Sequence, residues 1–400
     1  MKIAIIGGGA AGFFAALSAK ENYSNAEVII YEKSDKILSK VKISGGGRCN
    51  VTHSCFKVRD LVTFYPRGGK QLKKIFGIFN PNHTVAWFKD RGVDLKTEAD
   101  NRMFPDTNKS MTIINCLLDE AHRLGVVIKR QTVVQELRPE LDHIILKIDE
   151  FDHAFDKVIV ATGGSPKASG FKWLKQLGHE IIDPIPSLFT FNMPDEKIIN
   201  LQGVVSKNAI VRVQGSKLYQ EGPLLVTHWG MSGPAILKTS AWEARNLAEK
   251  KYAFNIQVNW IGNTNEEEVR ILLNRSFYNY GKKKVINVIP FDLPNSLWKF
   301  LLEISEIDEN IVAGEVSKKL KNVLINNILN SVYSVNGKTT FKEEFVTCGG
   351  IALKDVNMKT MESKVVPNLF FAGEVLNIDG VTGGFNFQAA WTTGYIAGKN

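Results

Sequence analysis

The chain opens on a short apolar run, Lys2-Ile-Ala-Ile-Ile6, cut off by glycine. Such a run predicts a strand buried on both faces of a parallel sheet. Ala10 to Lys20 is rich in alanine and carries Phe13, Phe14 and Leu17, which predicts a helix. Glu27 to Tyr31 is a second apolar strand, and the three pieces make a βαβ unit. Pro81 to Arg91 and Ser110 to Leu124 predict helices, the latter stopped by Gly125. Val126 to Arg130 predicts a strand and Gln131 to Leu137 an extended piece. Residues 143–151 and 157–161 predict two further strands.

The pattern then changes. Pro184, Pro186 and Pro194 lead into Leu201 to Trp260, where alternation over Asn208 to Gln214 and Tyr252 to Trp260 predicts a strand-rich region. Asn265 to Tyr333 reads as mostly helical, broken at Lys282-Lys-Lys284, Pro290 and Pro294. From Phe345 glycines punctuate the chain again. Asn368 to Ala372 predicts another central strand, and Gly383 to Ala397 a closing helix. The expected fold is α/β, a Rossmann-like dinucleotide-binding domain split by an insertion. Its parts are 1–188, a β-rich stretch 189–262, a helical stretch 263–334, a β-rich return 335–347 and the closing part 348–400. No repeat of solenoid period is visible.

Composition narrows the class. A chain of 400 residues with 44% hydrophobic and 23% charged positions is neither disordered nor collagen-like. Fifty Lys+Arg against 41 Asp+Glu leave a formal charge of +9, which suits anionic ligands. The lysines are dispersed along the sequence, so a nucleic-acid partner is not expected. Cys49, Cys55, Cys116 and Cys348 fit neither a CxxC pair nor a metal knuckle, so no metal site is expected. Four thiols suit a reducing cytosol. Met1-Lys2 and the uncharged run after it mimic a secretion signal, but Gly7, Gly8, Gly9 and Gly12 interrupt it. No run of 18 apolar residues occurs, so a cytoplasmic protein without a membrane helix is expected.

The glycines have a better reading. Gly7-Gly-Gly9-Ala10-Ala11-Gly12 is GxGxxG between a strand and a helix. The first glycine allows the tight turn, the second lets backbone approach a pyrophosphate, and the third lets helix and strand pack closely. The helix start adds free N–H groups and a partial positive charge, worth ~0.3–1 kcal/mol to a nearby anion. Glu32 ends the second strand, where a carboxylate accepts ribose hydroxyls and repels a 2′-phosphate. Three more glycine clusters follow: Ser44-Gly45-Gly46-Gly47-Arg48-Cys49-Asn50, Ala161-Thr162-Gly163-Gly164 and Thr382-Gly383-Gly384-Phe385-Asn386. Four clusters exceed the needs of NAD and match an extended FAD in a groove.

To these clusters belong Thr227-His-Trp-Gly-Met-Ser-Gly-Pro-Ala235, Thr360-Met-Glu-Ser-Lys364, Ala372-Gly373-Glu374 and the run ending Asn386-Phe-Gln388. Over nearly the whole chain this resembles the aminoacetone-oxidase-like family of flavoproteins, which includes a bile-acid desaturase type. The resemblance implies non-covalent FAD in a two-dinucleotide-binding-domain type fold, with a β-barrel-like second domain and a small helical third. It implies Glu32 on the adenosine ribose and Val133 pairing its backbone with adenine. The run Lys33, Lys36, Lys40 and Lys42 reads as a solvated face near the pyrophosphate, with Lys33 and Lys40 among the expected cofactor contacts. The resemblance implies Ser44, Gly45, Gly46, Gly47, Arg48, Cys49 and Asn50 along the flavin and ribityl, and Gly373 and Glu374 at the ribityl or pyrophosphate. Ala161, Thr162 and Gly163 would line the groove. Gly383, Gly384, Phe385 and Asn386 would face the pyrimidine edge. One departure shows: Ser165 to Gly170 is shorter than the family's glycine-rich stretch there, so no substrate contact is carried over onto it.

FAD performs electron transfer, and the protein supplies binding and electrostatics. His228 could take a proton as substrate loses hydride, or only support its loop. Arg48 could hold a substrate carboxylate or the flavin O2, or make a structural contact. Cys49 has no CxxC partner and reads as a small buried thiol. The leading expectation is an FAD oxidoreductase taking hydride from a small organic substrate, an amine or a CH–CH unit, with oxygen among the acceptors. The alternatives are an NAD(P)H-fed ene-reductase, a flavin-dependent RNA modifier and a non-catalytic flavin sensor. No second strand–GxGxxG–helix unit for a nicotinamide is visible.

Overall fold

The computed structural model describes residues 1–339 and 346–400. Residues 340–345, which include the middle of the expected β-rich return 335–347 and Phe345, lie outside the described residues. The chain divides into two compact units: Met1–Ser187 with the C-terminal stretch ending at Asn400, and the intervening stretch that begins at Leu188.

The first unit is built on a parallel sheet. Its strands run in the order Leu369–Phe371, Lys157–Val160, Lys2–Ile6, Glu27–Tyr31, Val127–Lys129, and every neighbouring pair among them is parallel. Two short antiparallel strands, Glu362–Ser363 and Val356–Asn357, extend one edge. The order reverses between Lys2–Ile6 and Lys157–Val160, so this is a doubly wound sheet with its switch point there. Ile3 to Ile6 are buried, as the uninterrupted apolar run requires.

The first helix, Ala10–Asn22, is buried without a break from Ala11 to Ala19. It is covered by the C-terminal helix Phe385–Lys399, whose glycines permit near contact of the two backbones. A side chain at position 394 would stand 2.5 Å from the Ala11 carbonyl oxygen. Phe14 fills the space beside them, 4.6 Å from the Trp87 ring and 4.8 Å from that of Trp391. A three-stranded antiparallel meander, Val134–Pro139, Ile144–Ile148 and Phe151–Phe155, carries the chain from Val127–Lys129 to Lys157–Val160.

The second unit holds an antiparallel sheet of seven strands. Its order is Ser331–Asn336, Ala253–Asn259, Val205–Val213, Tyr219–Thr227, Gly230–Ser232, Thr190–Asn192, Lys338–Thr339. The two edge strands are consecutive in the chain, hinged at Gly337 with φ +105°. One segment thus supplies both edges of the sheet, which meet in sequence at Gly337. The helices Glu266–Asn279, Asn295–Ile304 and Lys318–Asn330 share one buried cluster with this sheet, running from Phe189 to Val335. The helical stretch has no core of its own.

Candidate functional site

Five of the expected cofactor segments in the first unit leave the carboxyl end of a parallel strand. Gly7–Gly12 follows Lys2–Ile6, Glu32 follows Glu27–Tyr31, and Val133 follows Val127–Lys129. Ala161–Gly164 follows Lys157–Val160, and Gly373–Glu374 follows Leu369–Phe371. Ligands of open α/β sheets bind at that end, beside the switch point.

The first turn is tight because Gly7 takes φ +113° and donates its N–H to the Tyr31 carbonyl at 2.8 Å. A side chain on Gly7 would run into the Ala161 carbonyl, and one on Gly12 into that of Gly7. Gly9, capping the first helix, faces no atom within 4 Å, and Ala10 and Ala11 open the helix behind it. The Glu32 carboxylate hangs over this turn. It accepts the Gly8 N–H at 2.9 Å through one oxygen and the Ser34 N–H and hydroxyl, both at 2.9 Å, through the other. Val133 and Lys33 are exposed, and the Thr132 N–H reaches the Glu32 carbonyl at 2.9 Å.

The second glycine cluster is not a free loop. It ends a helix, Ser39–Gly47, that leaves helical geometry at Ser44 and passes Gly45, Gly46 and Gly47 at φ +59°, +69° and +83°. Gly46 and Gly47 are exposed, and a Cβ at either would meet no atom within 4 Å, whereas Gly45 sits against Phe104. Arg48 pairs with Glu98 at 2.6 Å and lies 4.0 Å over the Phe104 ring. Cys49 is fully buried, and burial pushes its thiol up to about 12. Asn50, with its amide turned to satisfy both partners, accepts the Gly384 N–H at 2.9 Å and donates to the Thr52 carbonyl at 3.0 Å. That bond ties the second cluster to the start of the C-terminal helix.

Around that helix start, Gly383 and Gly384 take φ +131° and +91°. The Phe385 ring stacks on Phe64 at 4.4 Å and on His53 at 4.6 Å. The Asn386 side chain is held by both backbone groups of Gly380, at 2.8 and 2.9 Å, so its amide faces that loop. Glu374 accepts the Thr347 N–H at 2.7 Å and pairs with Lys40 at 2.7 Å, so Lys40 does not stand free in solvent. Thr162 is exposed and Gly163, at φ +75°, faces open space.

Sequence reading missed a buried cluster behind the last loop. Asp379, fully buried, takes two hydrogen bonds from Arg67, that from Nε at 2.6 Å, and one from Ser187 at 2.8 Å. Burial pushes the Asp379 carboxyl up and Arg67 offsets it. No local pattern links Arg67 to Asp379. His228 belongs to the second unit. It is exposed on the two-residue turn between Tyr219–Thr227 and Gly230–Ser232, edge-on to Trp229 at 4.3 Å.

The groove residues fit an FAD. Side chains at Gly9, Gly46, Gly47 and Gly163 would enter open space, the first helix start offers its N–H groups, and the Glu32 carboxylate follows the second strand, where a ribose partner is required. Among the described residues no cluster of His, Cys, Asp or Glu could hold a metal, and no helix is long and apolar enough to cross a membrane.

Comparison with known proteins gives the same frame. The family model for the HI0933-like protein Rossmann domain matches residues 1–400. A 3-dehydro-bile acid delta(4,6)-reductase of Clostridium scindens is 26% identical over 411 residues, covering 100% of this chain and 98% of its own. A ribosomal RNA dihydrouridine synthase of Haemophilus influenzae is 28% identical over 405 residues, covering 98% of this chain and 96% of its own. Among solved structures, an open flavocytochrome c3 fumarate reductase aligns with TM-score 0.51 at 17% identity, over 100% of this chain and 77% of its own. A 3-ketosteroid delta1-dehydrogenase of Sterolibacterium denitrificans aligns with TM-score 0.51 at 11% identity, over 99% of this chain and 98% of its own. These structures share the fold. The chain belongs to the HI0933-like family of Rossmann-domain flavoproteins, the aminoacetone-oxidase-like group, and is an FAD-dependent oxidoreductase.

Proposed function

We propose that the chain saturates a carbon–carbon double bond conjugated to a carbonyl, with NAD(P)H as electron source. One observation carries this reading. Two relatives matched over nearly their full lengths have different substrates in their names, a 3-dehydro-bile acid and a ribosomal RNA uridine. Both names describe the loss of a C=C bond in conjugation with a C=O group. The expectation of hydride uptake from an amine or a CH–CH unit has no such support.

Saturation adds a hydride to one carbon and a proton to its neighbour. FAD, when bound, supplies the hydride chemistry. The chain's residues bind and orient it. Gly7, Gly9 and Gly12 with the first helix start hold the pyrophosphate, Glu32 the ribose, and the Val133 backbone the adenine. Gly46, Gly47 and Gly163 let backbone approach the ring system and ribityl. Gly383 and Gly384 set the C-terminal helix start at the pyrimidine edge. Arg48, occupied by Glu98 and Phe104, acts as a strut for the glycine turn. NAD(P)H visits without a dedicated domain, since the described residues hold no second strand–GxGxxG–helix unit.

The test is anaerobic. NADH or NADPH should bleach the flavin within minutes, and a 3-oxo-4-ene steroid or a uridine-containing RNA should restore the colour while the saturated analogue does not. No bleaching by either nicotinamide, or restoration by oxygen alone, overturns the reading. Bleaching by an amine without nicotinamide would favour hydride uptake from substrate instead.

A further inference from the structure

We infer that the helical part of the second unit carries a docking face for RNA, built from six lysines and two exposed tyrosines. The inference deepens the proposed reduction by naming a substrate class, and to that extent rests on it.

In the sequence Lys282-Lys-Lys284 is separated from Lys318, Lys319 and Lys321 by the whole helix Asn295–Ile304. The fold brings the two stretches together. Lys284 bridges to Val312, the Ala313 N–H donates to the Lys283 carbonyl at 2.9 Å, and the Gly314 N–H to that of Gly281 at 3.1 Å. Gly314 allows this approach, because a side chain there would press on the Gly281 backbone, 3.1 Å from its carbonyl oxygen. Ser317 then caps the helix Lys318–Asn330, so its first lysines emerge directly beside the paired segment.

The charge on this face is not neutralised. Several other cations of the unit are paired, as Lys207 with Asp292, Lys299 with Glu309 and Arg270 with Glu266. Among the described residues none of the six lysines forms an ion pair with a carboxylate. Lys284 reaches only the neutral side chain of Asn310, at 2.9 Å. Aromatic rings are interleaved with the charges. Lys283 lies 4.8 Å over the Tyr280 ring and Lys321 5.6 Å over that of Phe277. The helix Glu266–Asn279 buries Val269, Leu273 and Phe277, yet Tyr278 is 87% exposed and Tyr280, just beyond it, 51%. Unpaired cations take phosphates, and exposed rings take unstacked bases. A lipid headgroup would use only the first of these.

The test is fluorescence anisotropy of the FAD-loaded protein with a labelled, uridine-rich RNA hairpin, across a salt series. Each phosphate neutralised contributes about −0.7 to −0.9 to the slope of log affinity against log salt. The Lys283→Ala, Lys284→Ala, Lys319→Ala variant should flatten the slope by about 2 and weaken binding at least ~10-fold at low salt. Tyr278→Ala should weaken binding by ~5-fold or more, and more for single-stranded than for duplex RNA. Melting temperature and flavin bleaching by NAD(P)H should stay unchanged in all of these variants. No retention of RNA at low salt, or equal retention by the triple variant, overturns the docking face. So does equal affinity for duplex DNA or for phosphatidylserine vesicles, which would mark a face that reads charge alone. Bound RNA that never restores the bleached flavin leaves the docking face standing and removes its link to the reduction. A small enone that restores the colour while RNA fails to bind does the reverse.

Discussion

Gly9 and Gly12 stand one helical turn apart under opposite constraints. A side chain at Gly9 meets no protein atom within 4 Å, whereas one at Gly12 overlaps the Gly7 carbonyl. Gly9→Val should therefore leave the melting temperature of the apoprotein unchanged and abolish flavin retention, because it fills the cradle and touches nothing else. Gly12→Ala should lower that melting temperature, at a cost of about 1–3 kcal/mol for forced overpacking. Gel filtration read for flavin absorbance and protein, with a melt of each apoprotein, separates the two. A Gly9→Val protein that stays fully yellow would place the pyrophosphate elsewhere. The cysteines allow a second check at this scale. Burial pushes Cys49 up to about 12 and Cys116 up to about 11, and Cys348 is fully buried. Only the thiolate reacts readily. Iodoacetamide at pH 8 should label Cys55 alone in the native protein, as peptide mass spectrometry would show. Labelling of Cys49 would mean that the glycine turn opens.

At the scale of elements, one histidine pins the edge of the central sheet. His179 is buried, with Nδ1 at 3.2 Å from the Leu174 carbonyl and Nε2 at 2.8 Å from the Ser363 hydroxyl. That hydroxyl already accepts the N–H groups of Val365 and Val366, so it donates its proton to a neutral imidazole. Burial accordingly holds His179 below its ordinary value of 6.5. A depressed folded value means that the contribution to stability is complete above pH 6.5 and is lost as pH falls toward the folded value. The melting temperature should drop as the pH falls below about 6.5, and His179→Gln should flatten part of that drop. A variant with the wild-type pH profile would show that another group titrates there. The elements around this anchor differ in how far the sequence disclosed them. The strands Lys2–Ile6 and Glu27–Tyr31 and the helix between them were legible, because a short apolar run, glycine punctuation and an alanine-rich stretch are local signals. The helix Ser39–Gly47 was not: its lysines read as a solvated run and its three closing glycines as a turn. The pairing of Arg67 with Asp379 and the gathering of Lys282 to Lys284 with Lys318 to Lys321 arise from chain segments far apart, which no local pattern encodes. The clusters Gly45–Gly47 and Gly383–Gly384 were legible as turns because positive φ is a conformation that glycine adopts without strain.

At the scale of the molecule, the two units differ in how they are assembled from the chain. The second is one continuous stretch whose core, from Phe189 to Val335, draws on no residue outside it. The first is discontinuous. Its strand Leu369–Phe371 lies beside Lys157–Val160 in the central sheet, and its helix Phe385–Lys399 covers the first helix, yet both come from the far end of the chain. A fragment of residues 188–340 should therefore fold alone, with a cooperative thermal transition by circular dichroism. A fragment of residues 1–187 should lack one. It has lost three strands from the sheet, Val356–Asn357, Glu362–Ser363 and Leu369–Phe371, the rings of Phe385 and Trp391, and the Gly384 partner of Asn50. It should also bind no FAD, because the start of the C-terminal helix is missing from the groove. Adding residues 346–400 as a separate peptide tests the cause directly. Recovery of both flavin colour and a cooperative melt would assign the defect to the missing strands and helix. A fragment 1–187 that binds FAD alone would show that the glycine turns at the other strand ends suffice, and that the C-terminal segment orients the cofactor without holding it.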